Sequence, residues 1–426
     1  MPVVVPEVPW VAGEFGAGEP GFGGGHHPPH PAGQKGRPEV SQWREMTLGD
    51  FVSLQRGHDL TDGERHSGNV PVMGSAGMNG CHDTAKAKGP GVVVGRSGAS
   101  FGQVHFCPVD YWPHNTALYV TDFHGNDTRF AYYFLKSLDF SRYNSGSAQP
   151  SLNRNFIAPI PICVPEPKEQ RTIAAVLGAL DDKIELNRRM NETLEALAQS
   201  LFKSWFVDAT QSALPKGWTE RALYDCADYI NGAAFRNEHF SADRKGLPVI
   251  KIGELKDGIT AQTKFCDIER EPKYLINSGE ILFSWSGSPD TSIDTFIWTE
   301  GESWLNQHIF KIQFKRPIEK HFVYYLLKHL QPVFIEIARD KQTTGLGHVT
   351  GQDLKRLKTF FPTDDVLEKF NCVVEPLFQK VYSNLHESRT LAALLPKLLS
   401  GELRVPAQGF GTAGVPAAAG SMEARA

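Results

Sequence analysis

The apolar positions of this chain follow two regimes that alternate twice. Short apolar runs broken by Gly, Pro, Asn and Asp occur at 69–75 (NVPVMGS), 91–95 (GVVVG) and 116–121 (TALYVT). They recur at 247–253 (LPVIKIG), 280–285 (EILFSW) and 308–314 (HIFKIQF). Runs of that length and punctuation predict strands. Each set is followed by an amphipathic helical segment, RFAYYFLK (129–136) and HFVYYLLK (321–328), identical at five of eight positions. Aromatic residues at helical spacing usually pack, so Tyr132, Tyr133, Tyr324 and Tyr325 are expected to hold each helix on its own sheet.

A longer stripe follows each helix. Ile173, Leu177, Leu180, Ile184, Asn187, Asn191, Leu194, Ala198, Leu201 and Trp205 alternate at spacings of four and three, as do Val374, Leu377, Val381, Asn384, Ser388, Leu391, Leu395 and Leu398. This is a heptad seam, and one small globule cannot cover a stripe of that length. The first stripe, over about Lys168–Phe206, would extend roughly 55–60 Å at 1.5 Å per residue. Asn384 lies 197 residues after Asn187, and Ser388 lies 197 after Asn191. If the helices pair antiparallel, these polar positions meet near the centre and set the register. Pro376 and Pro396 fall inside the second stripe and predict a bend or break there.

The repeat extends beyond these elements. HNTALYV (114–120) and NQHIFKI (306–312) share the 192-residue offset, whereas LNRNFIAPIPICVP (152–165) and VTGQDLKRLKTFFP (349–362) lie 197 apart. One short insertion therefore separates them. The chain reads as two copies of one mixed α/β unit, 41–209 and 214–405. Each comprises a globule (41–165 and 214–362) and a long helix (166–209 and 363–405). The Gly/Pro/His-rich residues 1–40 and the Ala/Gly-rich residues 406–426 are expected to be disordered tails.

Composition adds limits. The six cysteines are scattered without a CxxC pair, which suits free thiols in a reducing cytoplasm. No run of 18 apolar residues is present, so no membrane span is expected, and the N-terminus lacks the pattern of a secretory signal. The net charge of −4 is not that of a strong nucleic-acid binder acting alone. Catalytic motifs are missing as well. GPGVVVGRSGASFG lacks the lysine of a phosphate loop, no HExxH or Asp-Pro-Pro-Tyr stretch occurs, and Cys81-His82 and His105–Cys107 are spaced too loosely for a zinc site. No catalytic or metal-binding residue is assigned.

The polar segments after the Tyr-Tyr helices are the candidate reading loops. SRYNSGSAQPSLNRN (141–155) supplies Arg142, Asn144, Ser147, Gln149, Asn153 and Arg154; RDKQTTGLGHVTGQDLK (339–355) supplies Lys341, Gln342, Thr343, Thr344 and His348. The Ser-Gly turns add Arg96, Ser97, Gln103 and Ser286. Arg and Lys pair with guanine edges, and Asn and Gln with adenine; the same composition also suits a solvated loop. Two globules on a helical spacer match a duplex with two half-sites, whose grooves repeat about every 34–36 Å. The alternative is a coiled-coil adaptor without DNA binding.

Pro159–Asp208 and Leu391–Val405, with TGLGHVTGQDLK (344–355) and GSAQPSLN (146–153), resemble the specificity subunits of type I restriction-modification systems. The resemblance covers about 41–405. It implies two target recognition domains joined by an antiparallel pair of helices, with each domain reading half of a bipartite site on double-stranded DNA. It implies a non-catalytic subunit that recruits two methyltransferase subunits and two translocase/endonuclease subunits. S-adenosylmethionine, ATP and Mg are then expected in those partners and no cofactor in this chain. The helix-pairing residues are expected to be Leu177, Leu180, Ile184, Asn187, Leu194 and Leu201 against Leu377, Val381, Asn384, Leu391 and Leu398. No base-contacting residue transfers by motif.

Overall fold

A computed structural model describes residues 43–146, 150–342 and 346–403. The same framework of sheet, Tyr-Tyr helix and long helix recurs in both copies. Each globule holds a four-stranded antiparallel sheet. In the first its order is Ser53–Arg56, Ala117–Asp122, Gly91–Gly95, Val104–Cys107; in the second, Ala227–Asn231, Ile309–Phe314, Ile281–Ser284, Asp294–Ile297. Gly91–Gly95 and Ile281–Ser284 are buried along their whole length. This is why they read as continuous apolar runs rather than alternating ones.

Beside each sheet lies a smaller mixed one, built on a parallel pairing of Val72 with Trp112 in the first copy and of Val249 with Trp304 in the second. A two-stranded ribbon closes each globule: Arg44–Thr47 with Pro161–Val164, and Thr219–Ala222 with Lys358–Phe361. The run LPVIKIG departs from expectation, since its strand stops at Ile250 and a helix, Ile252–Asp257, begins at once.

The Tyr-Tyr helices are Thr128–Ser137 and Lys320–His329. The Asp127 carboxylate caps the first, accepting the Arg129 and Phe130 N–H groups at 3.0 and 2.8 Å. Their tyrosines correct the expectation. Tyr132 meets its own sheet at Phe106, ring centroids 5.7 Å apart. Tyr324 instead packs on Phe378 at 5.2 Å and Tyr325 on Phe370 at 6.3 Å, both on the second long helix. The Tyr324 hydroxyl donates to Glu195 of the first long helix at 3.2 Å. These helices carry two apolar faces; Tyr132 lies on the one turned to its sheet, and Tyr324 and Tyr325 on the one turned toward the spacer. The insertion also has a place. Where the first copy has a single turn at Phe140–Tyr143, the second has a ten-residue helix, Gln331–Asp340.

The long helices, Pro167–Phe202 and Asp364–Leu399, are antiparallel. At one end Phe202 meets Phe370 at 6.3 Å; at the other, Leu398 and Leu399 join Ile173 and Leu177 in the core of the first globule. Midway, Asn384 Nδ2 donates to Asn191 Oδ1 at 2.8 Å, while Asn187 Nδ2 donates to Glu387 at 3.0 Å and Ser388 at 3.2 Å. Asn187 and Asn384 are fully buried, so a register slip would leave both amides unpaired in an apolar seam.

The break expected at Pro376 and Pro396 does not occur; Asp364–Leu399 is one uninterrupted helix. Both prolines lie on its exposed side, as do Cys372 and Ala392 four residues before them. The carbonyls released there reach solvent, while the opposite face stays pinned to its partner. The first helix runs on as a π-turn, Lys203–Val207, which delivers Phe206 into the core of the second globule. Among the described residues no helix is long and apolar enough to cross a membrane.

Candidate nucleic-acid interface

The two segments singled out in each copy, the Ser-Gly turn and the loop after the Tyr-Tyr helix, are tied together by main-chain bonds. In the first globule the Leu152 N–H donates to the Arg96 carbonyl at 2.8 Å, and Ser97 pairs with Ser151. In the second, the Val349 N–H donates to the Trp285 carbonyl at 2.8 Å, and Ser286 pairs with His348. Leu152 and Val349 are equivalent under the 197-residue offset, and both are buried. One short helix follows each tie. Asn153 caps the first, accepting the Asn155 N–H at 3.0 Å; Thr350 and Asp353 form a capping box on the second.

A third segment reaches the same place in both copies. The strand Ser53–Arg56 ends at Gly57, and Ala227–Asn231 ends at Gly232. A Cβ on Gly57 would lie 2.1 Å from the His114 carbonyl oxygen, and one on Gly232 would lie 2.2 Å from that of Asn306. Both positions therefore require glycine. The residues just before them, Arg56 and Asn231, are exposed.

Around the first tie is an open cleft of about 480 Å³ bordered by Gln55, Arg56, Arg96, Ser151, Asn153 and Arg154. Three guanidinium groups share it. Arg56 donates to Asp59 at 2.9 Å, Arg96 to the Asn115 carbonyl at 2.9 Å, and Arg154 to the Leu54 carbonyl at 3.4 Å. The Asn115 amide donates to the same Asp59 oxygen, Oδ1, and that hydrogen bond, helped by Arg56, holds the Asp59 carboxyl below the usual carboxylate range. The chain's overall negative charge is thus reversed locally.

The second globule is built differently at the matching positions. Trp285 stands where the first copy has Arg96. Its ring stacks on Phe310 (5.6 Å, 29°) beside His308 (5.7 Å), and its Nε1–H donates to Asn231 Oδ1 at 3.0 Å.

Several candidates turn out to brace these loops. Asn144 Oδ1 accepts the Gly146 and Ser151 N–H groups at 3.0 Å each. Lys341 is bonded to Asp353, which is nearly inaccessible. Burial pushes the Asp353 carboxyl up, but hydrogen bonds from Lys341 and Thr350 outweigh it and bring it below the ordinary range. Arg142 is exposed and paired with Asp139 at 3.6 Å; Gln103 and Gln342 are exposed. Ser147, Gln149, Thr343 and Thr344 lie outside the described residues, as do residues 1–42 and 404–426. Gln55, Arg56 and Asn231 escaped the sequence reading; at Arg56 and Asn231 the signal was a polar residue closing a strand immediately before a glycine. His82 sits with His66 and Asp83, whereas His105 bonds the Ser75 carbonyl, and among the described residues no group of ligating side chains could hold a metal ion.

A duplicated α/β unit on an antiparallel helical spacer, with matched polar loops on each copy, defines a two-domain recognition protein. The Type I restriction modification DNA specificity domain matches residues 40–196 and again 215–366. The chain belongs to that family, whose members are non-catalytic specificity subunits. It is 30% identical over 304 residues to the type I restriction enzyme MjaIX specificity subunit of Methanocaldococcus jannaschii, covering 65% of this chain and 69% of that one. Identity to the HindI specificity subunit of Haemophilus influenzae is 23% over 335 residues, covering 60% and 71%. The fold is that of the S subunit from M. genitalium, with a TM-score of 0.51 at 18% identity, covering 85% of this chain and 96% of that one.

Proposed function

We propose that each globule reads one half of a bipartite, asymmetric site on double-stranded DNA, and that the paired helices fix the gap between the halves. The recognition domains are 41–165 and 214–362, and the spacer helices 166–209 and 363–405. The observation that carries this reading is the duplicated tie between turn and loop, which presents side chains of different chemistry from equivalent positions. The reading residues are drawn from Arg96, Ser97, Gln103, Arg142, Asn144, Ser147, Gln149, Asn153 and Arg154 in the first domain, and from Ser286, Lys341, Gln342, Thr343, Thr344 and His348 in the second. With a net charge of −4, the chain neutralises few phosphates by itself. Two methyltransferase subunits, recruited by the helices, complete a basic channel and carry S-adenosylmethionine. Two translocase/endonuclease subunits supply ATP- and Mg-dependent cleavage.

The test is a base-resolved methylation map of DNA treated with the full chain and its methyltransferase subunits. A bipartite motif with a fixed gap is expected, and replacing residues 141–155 should change only one half. A contiguous motif, or equal change in both halves, would refute the assignment of one domain per half-site.

A further inference from the structure

We infer that Arg56 and Asn231 are the specificity-determining pair of this protein, Arg56 reading a guanine in one half-site and Asn231 an adenine in the other. This rests on the reading of one half-site per domain. The two residues occupy the same place in the fold. Arg56 is in register with Leu118 and Asn231 with Phe310, and each precedes a glycine that close backbone approach makes obligatory. Each borders the turn-and-loop tie of its own domain.

What recommends these two is their matched position beside the tie together with a second side chain that already orients each of them. Asp59 accepts one arm of the Arg56 guanidinium and is itself held by Asn115. A guanidinium fixed in this way keeps other N–H donors free and loses less rotamer freedom on binding. Two parallel donors match guanine O6 and N7. At Asn231 the holding group is the Trp285 indole, stacked on Phe310. An indole N–H can only donate, so it settles which end of the amide is oxygen. Oδ1 keeps a second lone pair and Nδ2 both hydrogens, a donor and an acceptor in fixed order, which is the complement of adenine N7 and N6. Asp59 and Trp285 are positioning residues in this scheme.

The experiment uses the full chain assembled with its methyltransferase subunits on a duplex library randomised across the mapped motif, with methylated sequences read out. Arg56→Lys keeps the charge but not the fork, and should relax one guanine in one half-site by about 5- to 150-fold in discrimination. Asn231→Ala should relax one adenine in the other half by a similar factor. Trp285→Phe keeps the stack but lacks the indole N–H, so it should relax the same position as Asn231→Ala and no other; a purely structural role would not single out that base. Thermal unfolding of each variant confirms that it is folded. If Arg56→Lys and Arg56→Ala lower methylation of all sequences uniformly with the motif unchanged, Arg56 contacts phosphate and the inference is overturned, while one domain per half-site stands. If any single variant relaxes both halves, that underlying reading falls, and the inference falls with it.

Discussion

The two copies hold the same spacer by different chemistry. Gln170 and Leu367 are equivalent under the 197-residue offset, each on the first turn of its long helix and each fully buried. Gln170 accepts the Asp127 N–H at 2.9 Å and donates to Asn126 at 2.7 Å and to the Pro165 carbonyl at 2.9 Å. Leu367 makes only apolar contacts, in a core that also contains Phe202, Phe206, Phe322, Phe361 and Phe370. A second exchange lies one step along the helices. Arg129 of the first copy packs over Gly178 and pairs with Asp182 at 3.7 Å, whereas its equivalent, His321, is buried against Glu375. At these matched positions the first globule meets the spacer through a buried amide network and the second through a leucine in an aromatic core. Equivalence of backbone does not require equivalence of interaction, and this permits one frame to carry two different readers.

The largest effect should come from shortening what the two copies share. Removing one heptad from each long helix, on the same side of the asparagine layer, takes out about 10.5 Å, or about three base pairs of duplex. The modified motif should keep its half-site bases and lose about three base pairs of gap, or methylation should cease. An unchanged gap on the methylation map would refute the spacer role.

Next in size is the exchange of docking chemistry. Gln170→Leu leaves the Asp127 N–H, the Asn126 side-chain oxygen and the Pro165 carbonyl without that partner, a loss of at least about 3 kcal/mol at roughly 1–3 kcal/mol per orphaned group. Calorimetric unfolding should show it, with the first globule melting earlier. A neutral result would mean that the buried amide does not contribute to docking.

The smallest effect is a pH dependence confined to one copy. Burial pushes the His321 imidazole below its ordinary pKa of 6.5, although Glu375 pulls the other way. Its Nδ1 is buried without a partner, so a proton there would have nothing to bond. The unfolded state therefore takes up the proton first. Stability from this site is complete above about pH 6.5 and declines as the pH falls through the folded value. Glu375 is held below the usual carboxylate range; burial opposes this, and bonds from Gln379 and His321 outweigh it. Its contribution is lost at still lower pH, in the same direction. The first copy carries arginine, not histidine, at the matching position. Hydrogen exchange, corrected for intrinsic rate, should show amides of 320–329 losing more protection than those of 128–137 between about pH 7.5 and about pH 5.5. Equal loss in both helices would contradict the comparison.

The sequence disclosed what is periodic. Strand runs, Tyr-Tyr helices, the heptad seam and the recurrence of Asn187 at Asn384 all repeat at fixed spacing, and the duplication follows from them. Single residues acting at the end of an element were not legible. Arg56 and Asn231 show in sequence only a polar residue before a glycine; the Asp59 and Trp285 that orient them lie beside them in space. The break expected at the prolines fails for a related reason: a local rule predicts it, and a long buried seam on the opposite face overrides it. Tyr324 and Tyr325 were placed in the right class but against the wrong neighbour, since a helix with two apolar faces does not say which one meets the spacer.

The tie between turn and loop has a consequence for how such proteins diversify. Leu152 N–H to Arg96 carbonyl and Val349 N–H to Trp285 carbonyl are main-chain bonds, indifferent to the side chains of the residues that form them. Arginine in one copy and tryptophan in the other occupy the same anchor without disturbing it. Substitutions at these half-buried positions therefore change chemistry without breaking the main-chain bond of the anchor. Under the proposed reading of one half-site per domain, point mutations at these positions would alter the target while the shared frame stays as it was.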